Sequence, residues 1–294
     1  MPRQNFTQRV AIVALAVLVF NTLALAADTP KERTLPRPAP VVPFGTSEQL
    51  VYDGEFTKML LRGIKIAELR FKAVRSTPLP VEGQGDGQAP APRPFTLTTD
   101  VEAKGWFRKI FGIDFNYHVE STVEPTDFYV LKTNKRDEQG KRLRTSEAVF
   151  DMGARKVEWT ERDPNDQSQP ARVVTAALNG PTQDIVSAIY FLRTQPLTPG
   201  QTFSIQISDS GRVYDVPARV VAEKKTMKSV LGKVPVLRVE VELFGAGRPI
   251  EEGKGKMHIW VTNDERRIPI KARLSHDMGQ LDINLRSIDN GAAR

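Results

Sequence analysis

Ser187 and Tyr190 stand three residues apart in an apolar segment, so on a helix a hydroxyl and a phenol would share one face. Such a pair can line a cavity or meet a ligand head group, with Phe191 beside it and Arg193 supplying a cation. The same residues also have a purely structural reading. Tyr190 and Phe191 would pack on a sheet, and Arg193 would pair with an acid near the helix C-terminus, where a positive charge suits the helix dipole. The structural reading is favoured, because a lone helix on a sheet must bury something.

A second group lies in Lys104-Gly-Trp-Phe-Arg-Lys-Ile-Phe-Gly112. Trp106, Phe107 and Phe111 crowd among Lys104, Arg108 and Lys109, a pairing suited to anionic head groups with acyl chains beside them. Against this stands a strand edge whose aromatics belong to the core. Trp260 is out of phase with Met257, Ile259 and Val261, which puts its indole on the other face of its strand as a second apolar layer or a ligand wall. The ligand-lining candidates are therefore Trp106, Phe107, Phe111, Ser187, Tyr190, Phe191 and Trp260. The head-group candidates are Lys104, Arg108, Lys109 and Arg193.

Catalytic constellations are scarce. The sequence has no cysteine, which excludes disulfides, thiol catalysis and Cys-ligated metal, and only three histidines, His118, His258 and His276. It contains no G-x-S-x-G elbow, H-E-x-x-H, Walker A loop or G-x-G-x-x-G fingerprint. Asp163-Pro-Asn-Asp166 opens like a calcium loop but lacks the later Gly and Glu, so it reads as a polar turn. Glu240 and Glu242 share a strand face and suit acid–base work in type, yet alternating charges on a wet face explain them equally well. His118 shares its face with Asp114 and Glu120, and His276 runs in phase with Leu274 and Met278. No catalytic residue, metal or cofactor is assigned.

The elements that must position these side chains are mostly strands. In Ile113 to Val119 apolar and polar residues alternate strictly, as they do in Leu237 to Leu243. Phe203, Ile205 and Ile207 give another strand, and Leu281, Ile283 and Leu285 a last one, with turn signals such as Gln139-Gly140, Ser210-Gly211 and Met278-Gly279 between runs. Short connections predict antiparallel pairing. Between Ile64 and Ala73 the apolar phase slips by one residue, which predicts a bulge near Ala67. One amphipathic helix is expected at about 182–194, with Thr182 or Asp184 able to cap its start, ending before Pro196. The fold class is thus mainly β, a curved antiparallel sheet or open β-barrel with that helix on a face or plugging a mouth.

Residues 1–26 read as a secretory signal peptide: Arg3 and Arg9 precede the apolar run Val10 to Phe20, and Ala24 and Ala26 form an A-x-A-like cleavage site. Residues 27–43 form a Pro-rich flexible spacer, and residues 44–294 a single β-rich domain with a disordered Pro/Gly insertion at 76–94. The expected location is the periplasm or another exported compartment, with the chain soluble after cleavage. Loss of Arg3 and Arg9 would take the net charge only from +7 to +5. The basic clusters at Lys132 to Arg144 and at Lys224, Lys225 and Lys228 read as solvated hairpin tips. Dispersed acids make nucleic acid an unsuitable partner.

Several segments carry a resemblance. Gly45 to Phe71 opens with G-x-x-E-x-L-x-Y-D; Asp184-Ile-Val-Ser-Ala-Ile-Tyr-Phe-Leu-Arg193 is followed by Pro199-Gly200; Phe150-Asp151 stands between them; and Ile259-Trp260-Val261-Thr262 runs on to Asp264, Arg267, Ile268 and Pro269. Together they resemble an exported bacterial family catalogued as domain of unknown function 3108. Ala67 stands where that pattern has Gly. The resemblance implies export and an all-β fold and supplies no catalytic residue. In outline the domain is also similar to periplasmic lipoprotein carriers, which wrap a curved sheet around an apolar cavity. The leading expectation is a non-enzymatic envelope protein binding a hydrophobic or lipid-like ligand, with contact to a membrane surface. Its alternatives are an envelope scaffold or glycan binder using an exposed sheet face, and a hydrolase with an unrecognised site.

Overall fold

The computed structural model describes residues 42–45, 47–59, 61–75, 93–104 and 114–290. Among the described residues, fourteen strands form one antiparallel sheet. Its order follows from where β1 sits. β1 (Ser47–Lys58) lies in the middle, and successive neighbours β2 (Leu61–Arg75), β3 (Phe95–Ala103), β4 (Phe115–Val123), β5 (Val130–Gln139), β6 (Arg142–Asp151), β7 (Lys156–Arg162) and β8 (Arg172–Ala177) wind out to one edge. The chain then crosses to the opposite edge and winds back through β9 (Thr202–Asp209), β10 (Arg212–Ser229), β11 (Gly232–Val241), β12 (Gly255–Thr262), β13 (Pro269–His276) and β14 (Gly279–Asp289), which pairs with β1.

The crossover carries the helix α1 (Ile185–Thr194). Because it must travel between the two edges, it lies across one face of the sheet and packs on β3, β4 and β9. The helix begins at Ile185, three residues later than the sequence pattern suggests. Thr182 and Gln183 are extended instead: the Thr182 carbonyl accepts from Val130 N, and Gln183 exchanges backbone hydrogen bonds with Gln206 and Ser208. That short segment ties the start of β5 to β9. Asp184 is the N-cap, accepting from Ser187 N at 2.7 Å while Ser187 Oγ accepts from Asp184 N at 2.9 Å, a reciprocal capping box.

The sheet curves until its ends approach, but β8 and β9 share no ladder, so it remains an open sheet. The β9–β10 turn closes on the far edge. Ser210 and Gly211 both have positive φ, as a two-residue hairpin turn requires. A Cβ on Gly211 would lie 2.6 Å from Val174 Cβ on β8, so only glycine allows that approach.

Bulges supply curvature. Gly54 pairs with Ala67 and Glu55 with Lys65, leaving Ile66 as the extra residue of β2, next to the predicted position. Ile66 and Ala67 are consequently both buried. Ile270 is extra in β13 in the same way. The outer face is charged: Asp53 meets Lys65 and Arg286, Glu68 meets Arg70, Lys104 and Arg286, and Asp282 meets Lys271 and Arg273. The helix-side face is apolar, and burial of that face drives the assembly. Among the described residues no helix is long and apolar enough to cross a membrane.

Candidate functional site

Most of the helix surface is buried. Val186, Ser187, Ala188 and every residue from Tyr190 to Thr194 are covered, while Ile185 and Ile189 are the half-buried pair. An i,i+4 spacing puts these two isoleucines on one stripe. They look into an apolar cleft of about 100 Å³ between the helix and the sheet. Its opposite walls come from Leu69 and Phe71 of β2, Ile259 of β12 and Ile283 of β14. Small side chains make the room: Gly54 and Ala67 face each other across β1 and β2, and Ala272 lies on β13. A Cβ on Gly54 would touch Ala67 Cβ and Leu69 Cδ1 at 3.4 Å, so even one methyl would press on the floor.

A second, smaller cavity of about 40 Å³ lies on the other side of the helix start and shares Ile185 and Val186 as wall. Its lining mixes apolar side chains such as Phe150 and Trp159 with a few polar ones, and it sits where the sheet ends approach, between β4–β7 and the end of β9. Lys135 Nζ and Asp209 Oδ1 face each other there at 3.9 Å, and Lys135 lies 5.0 Å from the centre of the Tyr117 ring. Burial pushes the Asp209 carboxyl up from the usual carboxylate range, against the opposing pull of Lys135. Asp184 also borders it, but its Oδ2 is taken by Ser121 Oγ and by Thr133 Oγ1 at 2.5 Å. Lys135 thus belongs to the interior, which corrects its reading as part of a solvated tip. Arg144 pairs with Asp163, and Lys225 lies 5.5 Å from the Trp260 ring centre.

The other sequence candidates are spread around this frame. Ser187 is the cap partner of Asp184 and is fully buried. Tyr190 packs edge-on against Phe44 with ring centres 5.2 Å apart, and Phe191 leans on Phe128; neither lines the cleft. Arg193 is buried in a bidentate pair with Glu48. Lys104 Nζ lies 3.0 Å from Glu68, on the outer face. Strand alternation turns Trp260 away from the cleft that Met257 and Ile259 line, so its indole sits beside His258 and Lys225. Trp106, Phe107, Arg108, Lys109 and Phe111 lie outside the described residues.

The candidate acids and bases do not converge. His118 Nδ1 lies 2.6 Å from Asp100, His276 stacks on Phe244, and Glu240 takes a hydrogen bond from Arg219. Asp163 accepts from Asn165 N at 2.9 Å, as a polar turn does. Among the described residues no group of three or more His, Asp or Glu side chains is arranged to hold a metal ion.

The sequence motifs converge instead on the helix C-terminus. Glu48 of the G-x-x-E-x-L-x-Y-D segment pairs with Arg193, whose Nε also donates to the Arg266 carbonyl at 3.2 Å. Arg267 returns a bond to the Arg193 carbonyl at 3.0 Å, and Tyr52 Oη donates to the Pro269 carbonyl at 2.7 Å. Thr262 and Asp264 shape the turn that presents Arg266 and Arg267: Thr262 Oγ1 accepts from Ile268 N and donates to Asp264, which also accepts from Arg267 N. The motifs therefore fix the C-terminal end of the helix over the sheet.

Among functionally curated proteins none matches this sequence. A solved structure similar to this one is a beta-barrel-like protein of domain of unknown function DUF1849 from Brucella abortus, with 11% sequence identity, 83% of this chain and 97% of that chain covered, and a TM-score of 0.49. The model of the family described as protein of unknown function (DUF3108) matches residues 62–286. With that match over most of its length, the chain belongs to the DUF3108 family.

Proposed function

We propose that this is an exported, non-enzymatic envelope protein that binds a lipid-like ligand by one apolar chain, held between α1 and the helix-side face of the sheet. The carrying observation is that the two half-buried residues of an otherwise buried helix are Ile185 and Ile189, facing an apolar cleft of about 100 Å³. A helix on a sheet normally turns polar residues outward. Here the available surface is branched hydrocarbon, and the cleft floor is kept low by Gly54, Ala67 and Ala272. An apolar cavity of about 150 Å³ in another protein stays dry and takes up benzene, so the volume here suits a narrow chain. Export rests on the signal-like Arg3 to Ala26 segment.

The test is binding of a fluorescent acyl probe to the purified protein and to Ala272→Phe, which would fill the cleft from β13. Saturable binding with enhanced emission, reduced at least tenfold in A272F with an unchanged circular dichroism spectrum, is the expected result. Equal binding by both proteins would overturn the assignment to this cleft.

A further inference from the structure

We infer that the chain entering the apolar cleft carries one uncharged oxygen, as an alcohol or an acyl ester does, and that Thr99 of β3 is the residue that recognises it. This deepens the chain-binding reading and rests on it. Two observations meet at Thr99. It lines the cleft, and its Oγ1 is buried with no hydrogen-bond partner among the described residues.

Thr99 breaks the pattern of its own surroundings. Strand alternation turns it to the helix-side face with Leu97 and Val101, and its cross-strand neighbours there are Phe71 and Val119. All four are apolar, so none can satisfy a hydroxyl. Valine has the same shape and would complete this surface without burying a polar atom. A hydroxyl taken out of water and left unpaired opposes folding, and such groups are few in native proteins. Thr99 is 2% exposed, so bulk water does not relieve it. The cleft is the apolar space its side chain borders, beneath the helix that packs on β3.

The rest of the wall defines what the oxygen can belong to. Tyr52 is the other hydroxyl-bearing residue there, and its Oη already donates to the Pro269 carbonyl at 2.7 Å. Among the described residues lining the cleft there is no Asp, Glu, Lys, Arg or His. An ionised carboxylate, phosphate or ammonium inside would therefore lose its hydration with no opposite charge to replace it. A hydroxyl or ester oxygen asks for a single donor, which Thr99 holds free. A plain hydrocarbon fills the same space and leaves that donor unpaired.

The test is a ligand-observed NMR titration of the full chain and of Thr99→Val with hexane, 1-hexanol, methyl hexanoate and hexanoate, alongside thermal melts without ligand. Valine should leave the unliganded protein as stable as before or more so. It should weaken the alcohol and the ester about fivefold, the worth of one neutral hydrogen bond, and leave hexane unchanged. Weakening of one of the two alone would support the inference and name which oxygen the site takes. In the unaltered protein hexanoate should bind more weakly than its methyl ester. Equal affinity of both proteins for the alcohol and the ester, or hexanoate binding as tightly as the ester, would overturn the inference, and continued hexane binding would leave the cleft intact. Loss of stability or folding in T99V would show that the hydroxyl is already bonded in the free protein, and would overturn it as well. No binding by any of the four would remove the chain-binding reading itself, and this inference with it.

Discussion

Arg193 and Glu48 form a bidentate ion pair inside the protein, with Nη1 to Oε1 at 2.5 Å and Nη2 to Oε2 at 2.9 Å, and the arginine is fully buried. The guanidinium also lies 5.2 Å from the Phe44 ring centre and 5.7 Å from that of Tyr190. One element of this pair is the last turn of the helix and the other is the start of the central strand, so the contact fixes where α1 sits over the sheet.

Removing one partner should therefore be far worse than removing both. Arg193→Met leaves Glu48 charged and buried and is expected to destabilise by about 3–5 kcal/mol, whereas the double variant with Glu48→Leu should recover much of that loss. Urea unfolding of the two single variants and the double variant checks this; additive losses would show that the pair is not coupled.

Two buried tyrosines should respond in opposite ways to loss of the hydroxyl. Tyr52 Oη donates to the Pro269 carbonyl, so Tyr52→Phe should destabilise by about 1 kcal/mol. Tyr190 Oη is buried with no hydrogen-bond partner, so Tyr190→Phe should leave stability unchanged or raise it. Thermal melts of both variants decide the matter, and equal losses would contradict the described environments.

Helix and strand register were legible from the sequence because they rest on local periodicity. Strict alternation gave β4, and the phase slip at Ile66-Ala67 gave the bulge in β2. Of the two caps the sequence offers, Thr182 and Asp184, the later one is used, because Thr182 and Gln183 find strand partners in β5 and β9, which are remote in the chain. The cleft was hidden for a related reason: Ile185 and Ile189 look like an ordinary core stripe, and only the crossover path shows that they are left partly uncovered. Lys135 and Asp209 meet because the two sheet ends curve toward each other, a fact of topology that no spacing in the chain reports. Tyr190 and Phe191 pack in the core, as the favoured reading of their helix has it, because rings of that size fill a core best.

Acid should unfold the protein through its outer-face carboxylates. Burial works to raise the Asp282 and Glu68 carboxyls, but bonds from Arg273 and Lys271 to the first, and from Lys104 and Arg286 to the second, bring both below the usual carboxylate range. A folded pKa below the unfolded one contributes stability that is present above the unfolded value, about 4, and lost as pH falls through the folded value. The melting temperature should thus drop steeply below about pH 4, less steeply in Asp282→Asn. His258 adds an earlier step: burial lowers its pKa, so protonation favours the unfolded chain as pH falls through about 6.5. His258→Gln should remove that step, and a melt profile that is flat through this range in both proteins would contradict it.

Affinity for straight-chain ligands should climb with length until the cleft is full. Each buried methylene contributes about 0.8 kcal/mol, roughly fourfold in affinity, so a homologous series should rise by that factor per carbon and then level off. Filling the cleft with Ala272→Phe should move the plateau to a shorter chain. A series with no length dependence would show that the chain lies outside the cleft.

The most direct test is native mass spectrometry of protein secreted by an export-competent host, compared with the same sample after organic extraction and refolding. The account predicts an adduct of lipid mass on the secreted protein that disappears on extraction and returns when the extract is added back, and that is absent from Ala272→Phe. A clean apo mass before extraction, unchanged when lipid is supplied, would contradict it.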